Sequence, residues 1–197
     1  MSRSRSVKRI QIMFIDNRPA LGRALLVRAR NALAADLGLP ARDEPDHAAL
    51  AMPGATFVTL TEGGALRGCI GSLEAWRSLD EDVRANARAA AFRDPRFTPV
   101  GRDEWPRLGV EVSLLSVPVP MSVADEADAL AQLRPGVDGL VFEAAGRRST
   151  FLPQVWDSLP DPHDFLTQLK LKAGLSPDYW SPEVKLQRYQ VEKWMER

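Results

Sequence analysis

The run Leu66-Arg67-Gly68-Cys69-Ile70-Gly71 sets the only cysteine of the chain between two glycines, with an arginine two positions ahead of it. A thiolate is a strong nucleophile, and a nearby cation favours thiolate over thiol. A guanidinium can equally grip a carboxylate or phosphate through two parallel hydrogen bonds. Glycines within a strand mark a bulge or a close approach by a ligand or another backbone. Two readings follow. In one, Cys69 is a nucleophile or redox thiol, Arg67 activates it or anchors an anion, and Gly68 and Gly71 leave the backbone approachable. In the other, Cys69 is a small buried apolar side chain and the glycines shape a sheet corner. The glycine spacing is not that of a G-x-S-x-G nucleophile elbow.

Two further positions have the right chemistry. In Phe92-Arg93-Asp94-Pro95-Arg96-Phe97, Asp94 and Arg96 flank a rigid proline just past a helix end, where loops often place binding groups. The same two residues could simply turn the chain and pair with each other. Glu111 lies in an alternating segment, on the face opposite Val110 and Val112. On an open face it is a solvated carboxylate; in a cleft, desolvation would raise its pKa toward the range of a general acid or base. Gln154 beside Pro153, the Lys170 and Lys172 pair near a helix end, the Arg147-Arg148 pair and five dispersed tryptophans read as packing or surface features. His47 falls in a polar loop and reads as solvated.

The elements that must position these residues are legible in outline. Residues 17–37 form a helix, with Asn17 as cap, Pro19 in its first turn, a Leu/Ala stripe, and Gly38 and Pro40 as its stop. Residues 56–60 and 65–73 are β-formers around Thr61-Glu62-Gly63-Gly64, a hairpin. Ser78 and Glu81 make a capping box for a helix to about residue 93. Residues 108–116 alternate as a half-buried strand. A short helix near 123–133, a strand at 139–143, a helix opened by Asp161-Pro162 and ended by Gly174, and a β-leaning but poorly alternating segment at 184–194 complete the reading. The hairpin and the alternating strand imply an antiparallel or mixed sheet, hence an α+β fold.

Composition narrows the function classes. The 197 residues include 26 basic and 26 acidic side chains, and 45% are hydrophobic. Such a chain builds a globular core, and zero net charge argues against sequence-independent nucleic-acid binding. One cysteine forbids an intrachain disulfide or a multi-cysteine metal site. The two histidines, His47 and His163, are far apart, so no metal is expected. Residues 1–9 are a basic tail whose following apolar stretch is too short for a signal peptide. No apolar run approaches the roughly 20 residues that span a bilayer. These features imply a cytoplasmic protein without a membrane segment.

Phe57-Val58-Thr59-Leu60, the Leu66–Gly71 run, Asp94-Pro95-Arg96-Phe97, Glu111-Val112-Ser113, Leu152-Pro153-Gln154-Val155 and Lys172-Ala173-Gly174-Leu175 occur in an order and at separations that resemble the AMMECR1 domain. The resemblance covers almost the whole chain, implying a single domain over residues 10–197. It implies two subdomains: a larger one formed from both chain ends around an antiparallel sheet flanked by helices, and a smaller inserted one, with a cleft between them. It also implies Arg67, Gly68, Cys69, Gly71, Asp94, Arg96 and Glu111 as site candidates, and Memo-like and radical-SAM proteins as partners.

Two functions are therefore expected. The first is an enzyme or enzyme component, with Cys69 and Glu111 as catalytic groups and Arg67, Gly68, Gly71, Asp94 and Arg96 around a small anionic ligand, without a cofactor. The second is a non-catalytic binding or adaptor module serving the partner proteins. The lack of a histidine in these motifs weighs against a cysteine nucleophile.

Overall fold

Helices and strands alternate along the chain, and the strands assemble into two separate four-stranded sheets. The structure is a computed structural model that describes residues 18–196. The basic tail and the Asn17 cap lie outside the described residues. The described residues divide into two compact units: 18–114 with 193–196, and 115–192. The first unit is thus made from both chain ends and the second is inserted between them, an α+β arrangement as expected.

In the first unit, α1 (Arg18–Asp36) is an Ala-, Leu- and Arg-rich segment of strong helix formers. It stops where Gly38 takes a left-handed φ of 64°. There the Leu39 and Gly38 N–H groups return to the Ala34 and Ala35 carbonyls, a Schellman stop. The following loop contains a 3-10 turn, Ala48–Ala51, whose first free N–H is capped by the His47 ring at 3.2 Å. β1 (Thr56–Glu62) and β2 (Ala65–Gly71) form the expected hairpin. Its two-residue turn has positive φ at both Gly63 and Gly64, the backbone that matches strand twist.

The capping box at Ser78 and Glu81 is present and opens α2 (Leu79–Phe92). β3 (Leu108–Leu115) follows. β8 (Val191–Met195) completes the sheet in the order β2-β1-β3-β8.

One face of this sheet carries Val58, Leu60, Val110 and Val112, which join Leu25, Leu33, Val83, Ala87 and Ala90 of the two helices in a single core. Helix α2 is pinned to β1 by a buried polar cluster centred on Asp82. Its carboxylate accepts from Thr56 N–H and Thr56 Oγ1 at 2.7 Å, from Ser72 Oγ at 2.7 Å and from Arg77 Nε at 2.9 Å. Asn86, one turn on, donates to the same carboxylate and to the Thr56 carbonyl. A buried carboxylate is tolerable only when so fully bonded.

The second unit holds β4 (Val119–Pro120), α3 (Glu126–Gln132), β5 (Gly139–Ala144), β6 (Arg147–Phe151), α4 (Pro162–Lys172) and β7 (Lys185–Tyr189), its strands in the antiparallel order β4-β7-β5-β6. Its core stacks Trp156 on Phe165 with ring centroids 3.8 Å apart. Lys170 is wholly buried there and bonds Glu126 at 2.6 Å and the Pro177 carbonyl at 3.0 Å.

Arg147-Arg148 is an exposed pair, as read from the sequence, at the start of strand β6. One sequence expectation changes. The segment 184–194 is two strands in different sheets, so no single alternation could describe it.

Candidate functional site

The strand register gathers the candidate residues. Thr59 stands opposite Cys69 on β2 and opposite Glu111 on β3, and directly opposed residues share a face of a sheet. That face is the one turned away from the Val58–Val112 core. From β8, Lys193 Nζ reaches Glu111 Oε1 at 3.7 Å. Cys69, Thr59 and Glu111 therefore form a row across the outer face of one sheet, and the Lys193 ammonium reaches its Glu111 end from the neighbouring strand. Cys69 is only partly buried, which removes the reading of it as a core side chain.

The Thr59 hydroxyl lies 3.3 Å from Cys69 Sγ with donor geometry. Glu111 is two strands from Cys69, about 10 Å at ordinary strand spacing. It is thus too far to take the thiol proton directly, and Thr59 occupies the place between them.

Asp94 and Arg96 act on Cys69 through its backbone. β2 is an edge strand, and its outward N–H and C=O groups need partners. Asp94 Oδ2 accepts the Cys69 N–H at 2.8 Å, and Arg96 Nη2 approaches the Cys69 carbonyl at 3.3 Å. Arg96 also grips Asp94 with Nε at 2.9 Å and Nη2 at 2.7 Å, while its own N–H bonds Asp94 Oδ1. The Asp-Pro-Arg loop thus closes the sheet edge at the cysteine. Asp94 has a side chain only 1% exposed, whereas that of Arg96 is 53% exposed. The Arg96 guanidinium beside it, then the Cys69 and Arg96 N–H groups, hold the Asp94 carboxyl far below the usual carboxylate range, against the opposing effect of burial.

Arg67 is placed differently from its expected role. The strand register slips between Leu60 and Thr61, so that Gly68 pairs with Leu60 and Leu66 with Thr61. Arg67 is the extra residue of this bulge. Its guanidinium bonds Glu104 twice, at 2.6 and 3.1 Å, and the Thr98 carbonyl at 2.9 Å. Glu104 raises the Arg67 pKa, and Arg67 lowers that of Glu104. With its donors so engaged, Arg67 serves as a clamp on the loop after Asp94 and not as a ready anion anchor. The Phe97 ring lies between the two arginines, 5.9 Å from the Arg67 guanidinium and 5.4 Å from that of Arg96.

The glycines have a packing role. A Cβ on Gly68 would overlap the carbonyl oxygen of Ala90 on α2, and one on Gly71 would overlap the Phe57 ring. Gly68 lets the cysteine strand lie directly against the helix backbone. Neither histidine bonds Cys69: His47 caps the 3-10 turn, and His163 belongs to α4.

Thr59, Lys193 and Glu104 were not among the residues singled out by sequence. Thr59 could have been found from register alone, since it is the outer-face residue of the strand next to the cysteine. Lys193 lies far along the chain and Glu104 in an irregular loop, and neither carries a local signal. Among the described residues, the one group of potential metal ligands is Asp161, His163 and Asp164, all exposed and in the other unit. No helix among the described residues is long and apolar enough to cross a membrane.

The sequence profile of the AMMECR1 family matches residues 26–194, and the chain belongs to that family. A protein of Methanothermobacter thermautotrophicus is 42% identical over 142 residues, which cover 69% of this chain and 72% of that one. A Saccharolobus solfataricus protein is 35% identical over 182 residues, covering 86% and 78% of the two chains. The crystal structure of the Pyrococcus horikoshii protein PH0010 superposes with a TM-score of 0.73 at 33% identity, over 89% of this chain and 91% of that one.

Proposed function

We propose that this AMMECR1-family protein is an enzyme, or an enzyme component, that binds a small anionic molecule across the outer face of the first sheet. The observation that carries the reading is the row Cys69–Thr59–Glu111, three chemically capable side chains set side by side by strand register, with Lys193 reaching its end from β8. Cys69 supplies the thiol at one end, its sulfur held by the Thr59 hydroxyl at 3.3 Å. The exposed edge of the Arg96 guanidinium attracts the ligand's carboxylate or phosphate beside it. Glu111, about 10 Å away, works on the far end of the ligand as acid, base or hydrogen-bond acceptor, with the Lys193 ammonium 3.7 Å from it. Asp94, Arg67, Gly68 and Gly71 are positioning residues.

A second reading is an adaptor that presents this face to Memo-like and radical-SAM proteins. It draws support from the internal engagement of Arg67 and Arg96 and from the lack of a histidine on Cys69. A thermal-shift screen of small carboxylates and phosphates separates the two, with hits followed by turnover assays. The enzyme reading expects a stabilising ligand whose effect is lost in Arg96→Ala and Glu111→Gln, and whose conversion stops in Cys69→Ser while binding survives. Unchanged conversion in Cys69→Ser removes the catalytic role. Stabilisation that persists in both other variants removes the site.

A further inference from the structure

A second concave site lies in the same unit, where α1, the loop after it and the start of β3 meet the end of β8. It is a cavity of about 480 Å³, within the size range of small-molecule pockets. Arginines 23, 30, 42 and 107 all line it. Arg23 and Arg30 are seven residues apart on one face of α1, and Leu26 and Val27 between them supply an apolar wall.

The four guanidinium groups are not equivalent. Arg30 is nine-tenths buried, packs over the Trp105 ring at 4.6 Å and is ion-paired with Glu196. Arg42 also reaches Glu196, at 3.2 Å, but is 57% exposed. Arg107 pairs with Glu62 at 2.8 Å and is 59% exposed. Arg23 is exposed and has no ion-pair partner among the described residues. Four cations thus line a cavity whose one lining carboxylate is Glu196; Arg107 is further tied to the Asp103 carbonyl at 3.2 Å, which leaves Arg23 and Arg42 as its less engaged exposed cations. Glu196 shows that the pocket already accommodates one carboxylate.

We infer that this cavity binds a small molecule with an apolar body and a doubly charged phosphate or a pair of carboxylates. Arg23 and Arg42 take the anion, and Leu26 and Val27 take the apolar part. Arg30 and Glu196 form the fixed base of the pocket. The concave, partly apolar lining and a balanced total charge favour such a ligand over a nucleic-acid backbone, which calls for an extended basic stripe. This site does not depend on the Cys69 row.

The probe is phenyl phosphate, titrated calorimetrically at constant ionic strength, with inorganic phosphate and a short single-stranded oligonucleotide as comparisons. Saturable binding of phenyl phosphate is expected, tighter than that of inorganic phosphate. Arg23→Ala and Arg42→Ala, both changes to exposed side chains, should each weaken it about tenfold, the worth of one charge-assisted hydrogen bond. Arg96→Ala should leave the affinity as it is. The proposal is overturned if phenyl phosphate does not saturate, if the oligonucleotide binds more tightly, or if Arg96→Ala abolishes binding while Arg23→Ala does not. That last outcome would place the probe at the Cys69 row and leave the proposed function standing.

Discussion

Asp94 is buried, bonded by Arg96 and by the Cys69 N–H, and held on the edge of the strand that carries the thiol. A carboxyl whose folded pKa is depressed adds stability that is complete above its unfolded pKa, near 3.9. That stability is lost as pH falls toward the folded value. Wild type should therefore exceed Asp94→Asn in unfolding free energy at neutral pH, and the gap should narrow below about pH 4. Urea unfolding across a pH series checks this; a gap that does not change with pH would mean that Asp94 is not charged and bonded as described. Sequence gave the residue types at this site but not their division of labour. Arg67 and Arg96 look alike along the chain, yet the bulge at Arg67 turns one toward Glu104 while the proline loop leaves the other half open. Long-range partners such as Glu104 decide that difference, and nothing near Arg67 in sequence encodes them.

At the scale of elements, the Cys69 row exists because β2 lies flat on α2. Gly68 permits that contact, since any Cβ there would run into the Ala90 carbonyl, and backbone cannot swing aside as a side chain can. Gly68→Ala should cost about 3 kcal/mol, the upper range for an overpacked site, read as a lower urea midpoint. Gly71→Ala meets the Phe57 ring, which can rotate, and should cost less. Equal midpoints for Gly68→Ala and wild type would refute the close approach. The hairpin, the capping box and the glycine stops were legible because each is written in adjacent residues. The 184–194 segment was not: β7 and β8 share it but pair in different sheets, so its period breaks where the chain leaves one sheet for the other. The Asp82 cluster was equally hidden, because an acidic residue in the first turn of a helix ordinarily faces water.

For the whole molecule, the division of the chain into two units follows from that same chain path. Residues 115–192 fold around their own Trp156–Phe165 core. The chain then returns to give the first sheet its last strand, and with it Lys193 beside Glu111. The candidate site thus needs residues from both sides of the insertion, which is why a reading of local motifs found Cys69 and Glu111 but not Lys193. Because the full chain has one cysteine, thiol labelling of the intact protein reports on this row alone. The decisive measurement is the rate at which iodoacetamide alkylates native protein at neutral pH, compared with Thr59→Val and with protein in denaturant. A partly exposed thiol should react in the folded state, and removing the Thr59 hydroxyl that bonds its sulfur should change the rate roughly fivefold, the worth of a hydrogen bond of about 1 kcal/mol. A thiol that reacts only after unfolding, or at the same rate without the Thr59 hydroxyl, would contradict the account.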